Sequence, residues 1–436
     1  MRFTAIRGLA LLSVALGAGV PGPAAAAAPR ADSVRWAPSI EKGLEEAKAR
    51  GVPLLVALNM DNERGNDAMV EKVYPDPLVV AAAAKCVCTI GSIGNHGSRK
   101  DPVTGRMVCE RFGSLTCAEH RAVEKIVREQ WLKKGRVEDV ISPQHFFVAP
   151  DGRRLFQRTW QVEPKELADL LDRARSLSGP EALAARDTPE DRLKRAGDPL
   201  RPVRDEAIGA LAALKDPAMD ERLAALAKSA ADEGVAVSVL DGFAAAMDPA
   251  RVAAAAGFLA AKPDAVRMHA AVALEASKDP AALKALVSAL GREKDARVKG
   301  VLYRSISGCA PGDASARAAV LGGLKERAEG VKPHAIVALA PWARDPQVIA
   351  ALKSVAFGKE DWRVRAAACW TLGLSGQSEI AAKLAEVRDE GKENRVVPIA
   401  QLAIRRLNDE AGPDEYRRAM KSFAWSPIRH PGEPEE

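Results

Sequence analysis

A single periodicity constrains this chain more than any other feature. From about Ala196 onward a valine recurs, usually followed by a basic residue: Val203-Arg204, Val266-Arg267, Val298-Lys299, Val331-Lys332 and Val364-Arg365, with weaker equivalents at Val235 and Val397. In chain order these seven valines lie 32, 31, 32, 33, 33 and 33 residues apart. Each opens an alanine-rich helical segment, then a turn, then a second helical segment. The turn carries Asp-Pro at Asp216-Pro217, Asp248-Pro249, Asp279-Pro280 and Asp345-Pro346, and GDAS (312–315) and SGQS (375–378) fill the same slot in two other units. A helix pair of this size cannot bury its own apolar face, so a sustained period near 32 means that neighbouring pairs stack to complete one core. About seven units fit between 196 and 412.

Within a unit, the aspartate before proline ends one helix and caps the next. The recurrent basic residue is placed either to bridge neighbouring units, through the aspartate or free carbonyls, or to stand as a solvated helix end. Cys309 and Cys369 fall on apolar helix faces and read as small core residues. His269 and His334 sit near the starts of first helices, with no partner pattern that assigns them a role. This half resembles HEAT repeats, the shorter PBS-like variety more than the long ones. The resemblance implies an all-α solenoid whose extended surface binds other proteins. Residues 179–195 read as a linker into it. Residues 413–436 read as a capping helix and a disordered tail, with Trp425 covering the last repeat and a proline- and glutamate-rich end beyond.

The opposite end of the chain has the layout of a secretory signal peptide over residues 1–28. Arg2 and Arg7 are a short positive start, Gly8 to Val20 is apolar, and Pro21, Pro23 and Ala24 to Ala28 supply a helix breaker and small residues for cleavage. The apolar run is short of the ~20 residues that a spanning helix needs. The expectation is a mature chain without a membrane span, periplasmic or secreted. Net charge is +6, and +4 once Arg2 and Arg7 are removed. A balance that even argues against a nucleic-acid partner, for which a clustered basic face is the usual footprint.

Residues 34–178 follow a different rhythm, with short apolar strands between helices. Ser39 to Gly51 is a capped helix, Pro53 to Leu58 a buried strand, Asp67 to Tyr74 and Pro77 to Ala84 helical, and Cys86 to Ile90 a second strand. Thr116 to Lys134 is a long amphipathic helix. Gln144 to Trp160 is a hairpin turning at Pro150-Asp151-Gly152, and Pro164 to Ser176 is a last helix. Together these predict a central sheet between helices. The segments WAPSIEKGLEEAKARGVPLLVAL, AMVEKVYPDPLVV and ISPQHFFVAPDGRRL, in that order, resemble secreted thioredoxin-like domains. The resemblance puts Pro143 at the cis-proline position. It also puts Glu63 and Asn66 where catalytic members carry the two cysteines of a CxxC. Neither residue forms a thiolate, so dithiol exchange is not expected. The loop DNERGND reads as a polar helix entry, capped by Asn66 or Asp67. The fold class is therefore an α/β thioredoxin-like domain followed by an all-α HEAT-like α-solenoid.

Four of the six cysteines, Cys86, Cys88, Cys109 and Cys117, crowd into this first half. A long insertion follows the second strand and enters a helix at Thr116. TCAE (116–119) is a capping box, which makes Cys117 the first residue of that helix, with His120 one turn behind. Three readings stay open. Export favours a Cys109–Cys117 disulfide. A soft metal, zinc or copper, could be drawn to a set taken from Cys86, Cys88, His96, Cys109, Cys117 and His120. A redox thiol at Cys117, resolved by Cys109, is the third. Cys117 is the one catalytic candidate. The chain carries no hydrolase triad, phosphate loop or nucleotide motif. The leading expectation is an exported protein-binding scaffold rather than an enzyme; the alternative is a thiol-redox or metal-handling protein whose repeats recruit a client.

Overall fold

The computed structural model describes residues 33–416 apart from 62, 103, 186–187, 329 and 388–394. The signal peptide and the tail with Trp425 lie outside the described residues. Among the described residues no helix is long and apolar enough to cross a membrane.

The first half is a mixed sheet covered on both faces. Ser39 caps α1 (Ile40–Arg50) and Gly51 ends it; then come β1 (Leu54–Leu58), α2 (Arg64–Ala68, continuing as a wider turn through Val73) and α3 (Pro77–Ala83). β2 (Val87–Gly91), β3 (Ser98–Lys100), β4 (Met107–Cys109) and α4 (Cys117–Ile126) follow. β5 (Gln144–Val148), β6 (Arg154–Thr159) and α5 (Pro164–Ser176) complete this half. The main sheet has the order β2-β1-β5-β6. β1 runs parallel to β2, β5 antiparallel to β1, and β6 antiparallel to β5. β1 and β5 are buried throughout, which explains their unbroken apolar sequences. Leu55, Ala57 and Phe147 face a core with Met69, Leu167 and Leu170. Leu54, Val56 and Phe146 face another with Ile40, Ala47 and Val123. The Ser142–Pro143 peptide bond is cis.

Two local expectations change. α2 begins at Arg64 after Glu63, so neither Asn66 nor Asp67 is its cap. Residues 179–195 are not an open linker: Pro180–Ala185 (α6) and Pro189–Arg195 (α7) are helices, each opened by a proline at its first position. This stretch and the residues just after it fasten the halves together. Buried Arg195 pairs with Asp191 and Glu206, Arg173 pairs with Asp198, and Val203 packs into the α/β core.

The second half alternates first and second helices of each unit. They are α8 (Arg201–Ala212) and α9 (Pro217–Ser229), α10 (Glu233–Ala244) and α11 (Pro249–Phe258), α12 (Asp264–Glu275) and α13 (Pro280–Arg292), and α14 (Ala296–Cys309) and α15 (Ala314–Gly322). Then come α16 (Val331–Ala338) and α17 (Pro346–Ala356), α18 (Trp362–Leu372) and α19 (Glu379–Leu384), and α20 (Val396–Leu407). First helices stack on first helices along the array, over one continuous core from Ala196 to Tyr416. Asp216, Asp248, Asp279 and Asp345 each cap the second helix that their proline opens. In four units the basic residue after the valine bridges forward to the next unit, whereas Arg365 Nε donates back to the Ala356 carbonyl at 3.3 Å. Arg204 reaches Asp232 at 3.2 Å, Arg267 Glu293 at 2.8 Å, Lys299 Glu326 at 2.9 Å and Lys332 Glu360 at 3.0 Å. The ladder acid therefore precedes the following unit's first helix rather than lying in the Asp-Pro turn. In the last unit the buried register residue is Val396, not Val397. Tyr416 closes the end: its ring stacks on Trp370 with centroids 5.4 Å apart, and its hydroxyl donates to the Trp370 carbonyl.

Candidate functional site

The insertion after β2 builds a compact site at the carboxyl edge of the parallel strands. β3 and β4 pair as an antiparallel hairpin. The chain then turns back through Gly113, whose φ of +77° lies in the left-handed region, and Cys109 N–H donates to the Leu115 carbonyl at 2.7 Å. The capping box closes as its residue types require: Thr116 accepts from Glu119 N–H at 3.2 Å, and the Glu119 carboxylate accepts from Thr116 N–H at 2.6 Å. These turns bring Cys109, at the end of β4, against Cys117 and His120 on the first turns of α4.

His96 enters from the other side. Its Nδ1 lies 3.3 Å from Cys109 Sγ, and its backbone N–H donates to Cys117 Sγ at 3.4 Å. Its Nε2 lies 2.7 Å from Asp61 Oδ1. A carboxylate only accepts, so the ring proton sits on Nε2 and the Nδ1 lone pair faces the sulfur. The same logic orients His120, which is wholly buried. Its Nδ1 donates to the Ser92 carbonyl at 2.9 Å. That leaves the Nε2 lone pair, which has no hydrogen-bond partner. The donor atoms of His96, Cys109, Cys117 and His120 all lie within 4.8 Å of one another. Phe112 meets both imidazoles edge-on, at centroid distances of 5.3 and 5.1 Å.

A second ring of groups holds these four. Asp61, just past the end of β1, also accepts from the Ser92 hydroxyl at 3.1 Å. Arg111 pairs with Asp67 at 2.7 Å and lies 3.8 Å from Asp61. Gly94 is required here, because a β-carbon on it would overlap both the Asp61 carboxylate and His96. Burial pushes the Cys109 thiol up to about 11 and holds the His120 imidazolium below the ordinary histidine range.

Cys86 and Cys88 do not join the cluster. They occupy the face of β2 turned toward α3 and α5, inside the apolar core. Burial raises the Cys86 thiol to about 12 and the Cys88 thiol well above its usual value. Their alternation along the strand places both on one face, while the cluster gathers beyond the strand's end. All six cysteines are free thiols in this structure. Glu63 and Asn66 meet beside Pro143. The Glu63 carboxylate accepts from Asn66 Nδ2 at 2.6 Å and from the Ser142 hydroxyl at 2.8 Å, and Asn66 Oδ1 accepts from Met60 N–H at 3.0 Å.

Sequence reasoning missed Asp61, Ser92, Arg111 and Phe112. The signal that could have found the first two is the parallel pairing of β1 with β2, which sets the residues just past Leu58 and Gly91 side by side. Comparison with known families matches a model of HEAT repeats to residues 317–405, about a fifth of the chain. No curated protein matches it.

Proposed function

We propose that the chain is an exported protein-interaction scaffold. In this reading a HEAT-type solenoid carries, at its amino-terminal end, a thioredoxin-like domain without dithiol chemistry. One observation supports the scaffold most: the array of stacked first helices continues from α8 to α20 over one core, and the same forward bridge recurs at four of its junctions. Such an array offers a long external surface, and surfaces of this kind bind proteins. The thioredoxin-like reading draws on the strand order, the cis peptide at Pro143 and the Glu63–Asn66–Ser142 contacts where a dithiol would otherwise stand. The export reading draws on residues 1–28 alone.

The experiment is in-cell photocrosslinking with the full chain. A photoreactive residue replaces Lys228, Lys284 or Gln347, exposed positions of α9, α13 and α17, and Lys48 on α1 serves as the comparison. The expected result is one recurrent protein adduct from solenoid positions and none from Lys48. Adducts from Lys48 alone, or from no solenoid position, refute the scaffold. Cell fractionation with mass spectrometry of the chain tests export in parallel; a chain confined to the cytoplasm with residues 1–28 intact refutes it.

A further inference from the structure

We infer that His96, Cys109, Cys117 and His120 form a closed, tetrahedral zinc site that pins the insertion to α4. The inference is independent of the scaffold reading. It stands first on the lone pair of His120. A wholly buried imidazole nitrogen without a partner costs stability unless something accepts it, and this one belongs to the group that also holds two sulfurs and a second imidazole lone pair.

The donor set selects the ion. Two sulfurs and two imidazole nitrogens in four-coordinate geometry suit zinc. Zinc bonds of about 2.0–2.3 Å put tetrahedral donors ~3.3–3.8 Å apart. The His96 Nδ1 to Cys109 Sγ distance is 3.3 Å and the whole group fits inside 4.8 Å, so loading needs only a small contraction. Charge closes as well: Zn²⁺ displaces one proton from each thiol to solvent, and two thiolates with two neutral imidazoles leave a neutral centre. No carboxylate competes for the ion, because Asp61 is engaged at the far nitrogen of His96.

The surrounding contacts are those of a built site. Each imidazole donates its other N–H to an oxygen, Asp61 Oδ1 for His96 and the Ser92 carbonyl for His120. Such partners fix the tautomer and raise ligand basicity. Four protein donors and the Phe112 ring leave no open position for substrate, so the ion holds structure. It ties residues 96, 109, 117 and 120 together, and through Asp61 it reaches the segment after β1.

The test uses the full chain, reduced and stripped with a chelator. Zinc is titrated in competition with a chromophoric chelator, and cobalt(II) is titrated separately as a spectroscopic probe. One zinc per chain is expected, with the intense visible bands of tetrahedral cobalt and a thiolate-to-cobalt charge-transfer band. Cys117→Ser and His120→Gln lose the site, whereas Cys86→Ala and Cys88→Ala keep it. Asp61→Asn, which removes no donor, keeps tetrahedral cobalt and weakens zinc by ~10–100-fold; it serves as the check should the ligand variants misfold by circular dichroism. Failure of the reduced chain to take up zinc overturns the assignment. So do weak octahedral cobalt bands, or zinc stoichiometry that survives Cys117→Ser.

Discussion

The sharpest quantitative consequence of the fold concerns Arg251, the largest of the fully buried side chains. Its guanidinium donates to both oxygens of Asp220, at 2.8 and 3.0 Å, to the Ala212 carbonyl at 2.6 Å and to the Ala246 carbonyl at 2.7 Å. It therefore joins α8, α9 and α11 across the first two units. Arg251→Met retains a stem to pack near Phe243 but removes every donor. It leaves a carboxylate that is 5 % exposed without its partner. Breaking such a pair costs ~3–5 kcal/mol, and with two carbonyls orphaned as well the loss should be at least the middle of that range, about 4 kcal/mol. Solenoid stability is mainly local and nearest-neighbour, so the loss concentrates where the pair sits. In hydrogen exchange, amides of α9 and α11 should open roughly a thousandfold more often, while those of α16 and α18 hold. Replacing both partners, Asp220→Leu with Arg251→Met, should recover at least half of the loss, since an apolar pair of similar volume is often neutral. A cost below ~1 kcal/mol for the single variant, or a double variant no better than the single, would refute the reasoning.

Three further outcomes follow from other groups. Burial lowers the His145 imidazole to about 3, so it stays neutral in the fold while an unfolded histidine protonates below about 6.5. Its contribution is present above about pH 6.5 and is lost as pH falls toward 3; by pH 4.5 the loss is about 2–3 kcal/mol, and urea titrations of His145→Gln should show a correspondingly flatter pH profile. In metal-free chain, mass spectrometry after brief alkylation should find Cys117, which is half-buried, labelled before Cys109, which is buried with its thiol raised to about 11; equal labelling refutes the packing. Finally, Glu63→Cys with Asn66→Cys should create a pair that closes to a disulfide on oxidation and reduces insulin disulfides slowly. A pair that stays open, or that has no activity, counts against the thioredoxin-like reading.

Much of this was legible in the sequence because the governing signals are local. The valine period marks which helix face is buried, and Asp-Pro writes both a stop and a cap into two residues. The capping box at Thr116 works the same way, and it correctly places Cys117 at a helix start. What escaped reading depends on tertiary choices. Asp232, Asp295 and Asp361 cap first helices, but without a following proline they resemble any surface acid. Val396 and Val397 are indistinguishable until packing selects the buried one. Cys86 and Cys88 look like ligands by composition, and only the direction of the β2 pleat removes them. Asp61 is one of several acids in a polar loop. Its role emerges when β1 and β2 pair in parallel and bring Ser92 and the insertion beside it.

The choice between a disulfide and an ion at Cys109 and Cys117 turns on what each leaves behind. A disulfide would tie only residues 109 and 117, across a turn that already closes itself. Cys109 N–H donates to the Leu115 carbonyl, and Gly113 N–H donates to the Cys109 carbonyl at 2.9 Å. Little further chain freedom remains for the bond to remove. It would also consume both sulfurs and leave the buried Nε2 of His120 without a partner, at ~1–3 kcal/mol. An ion instead ties four points, adds His96 and so the whole reach from 96 to 120, and satisfies that nitrogen. An oxidising compartment by itself favours the disulfide, yet the buried histidine is idle in that arrangement and essential in the other. His120, rather than either cysteine, is therefore the residue on which the two readings part.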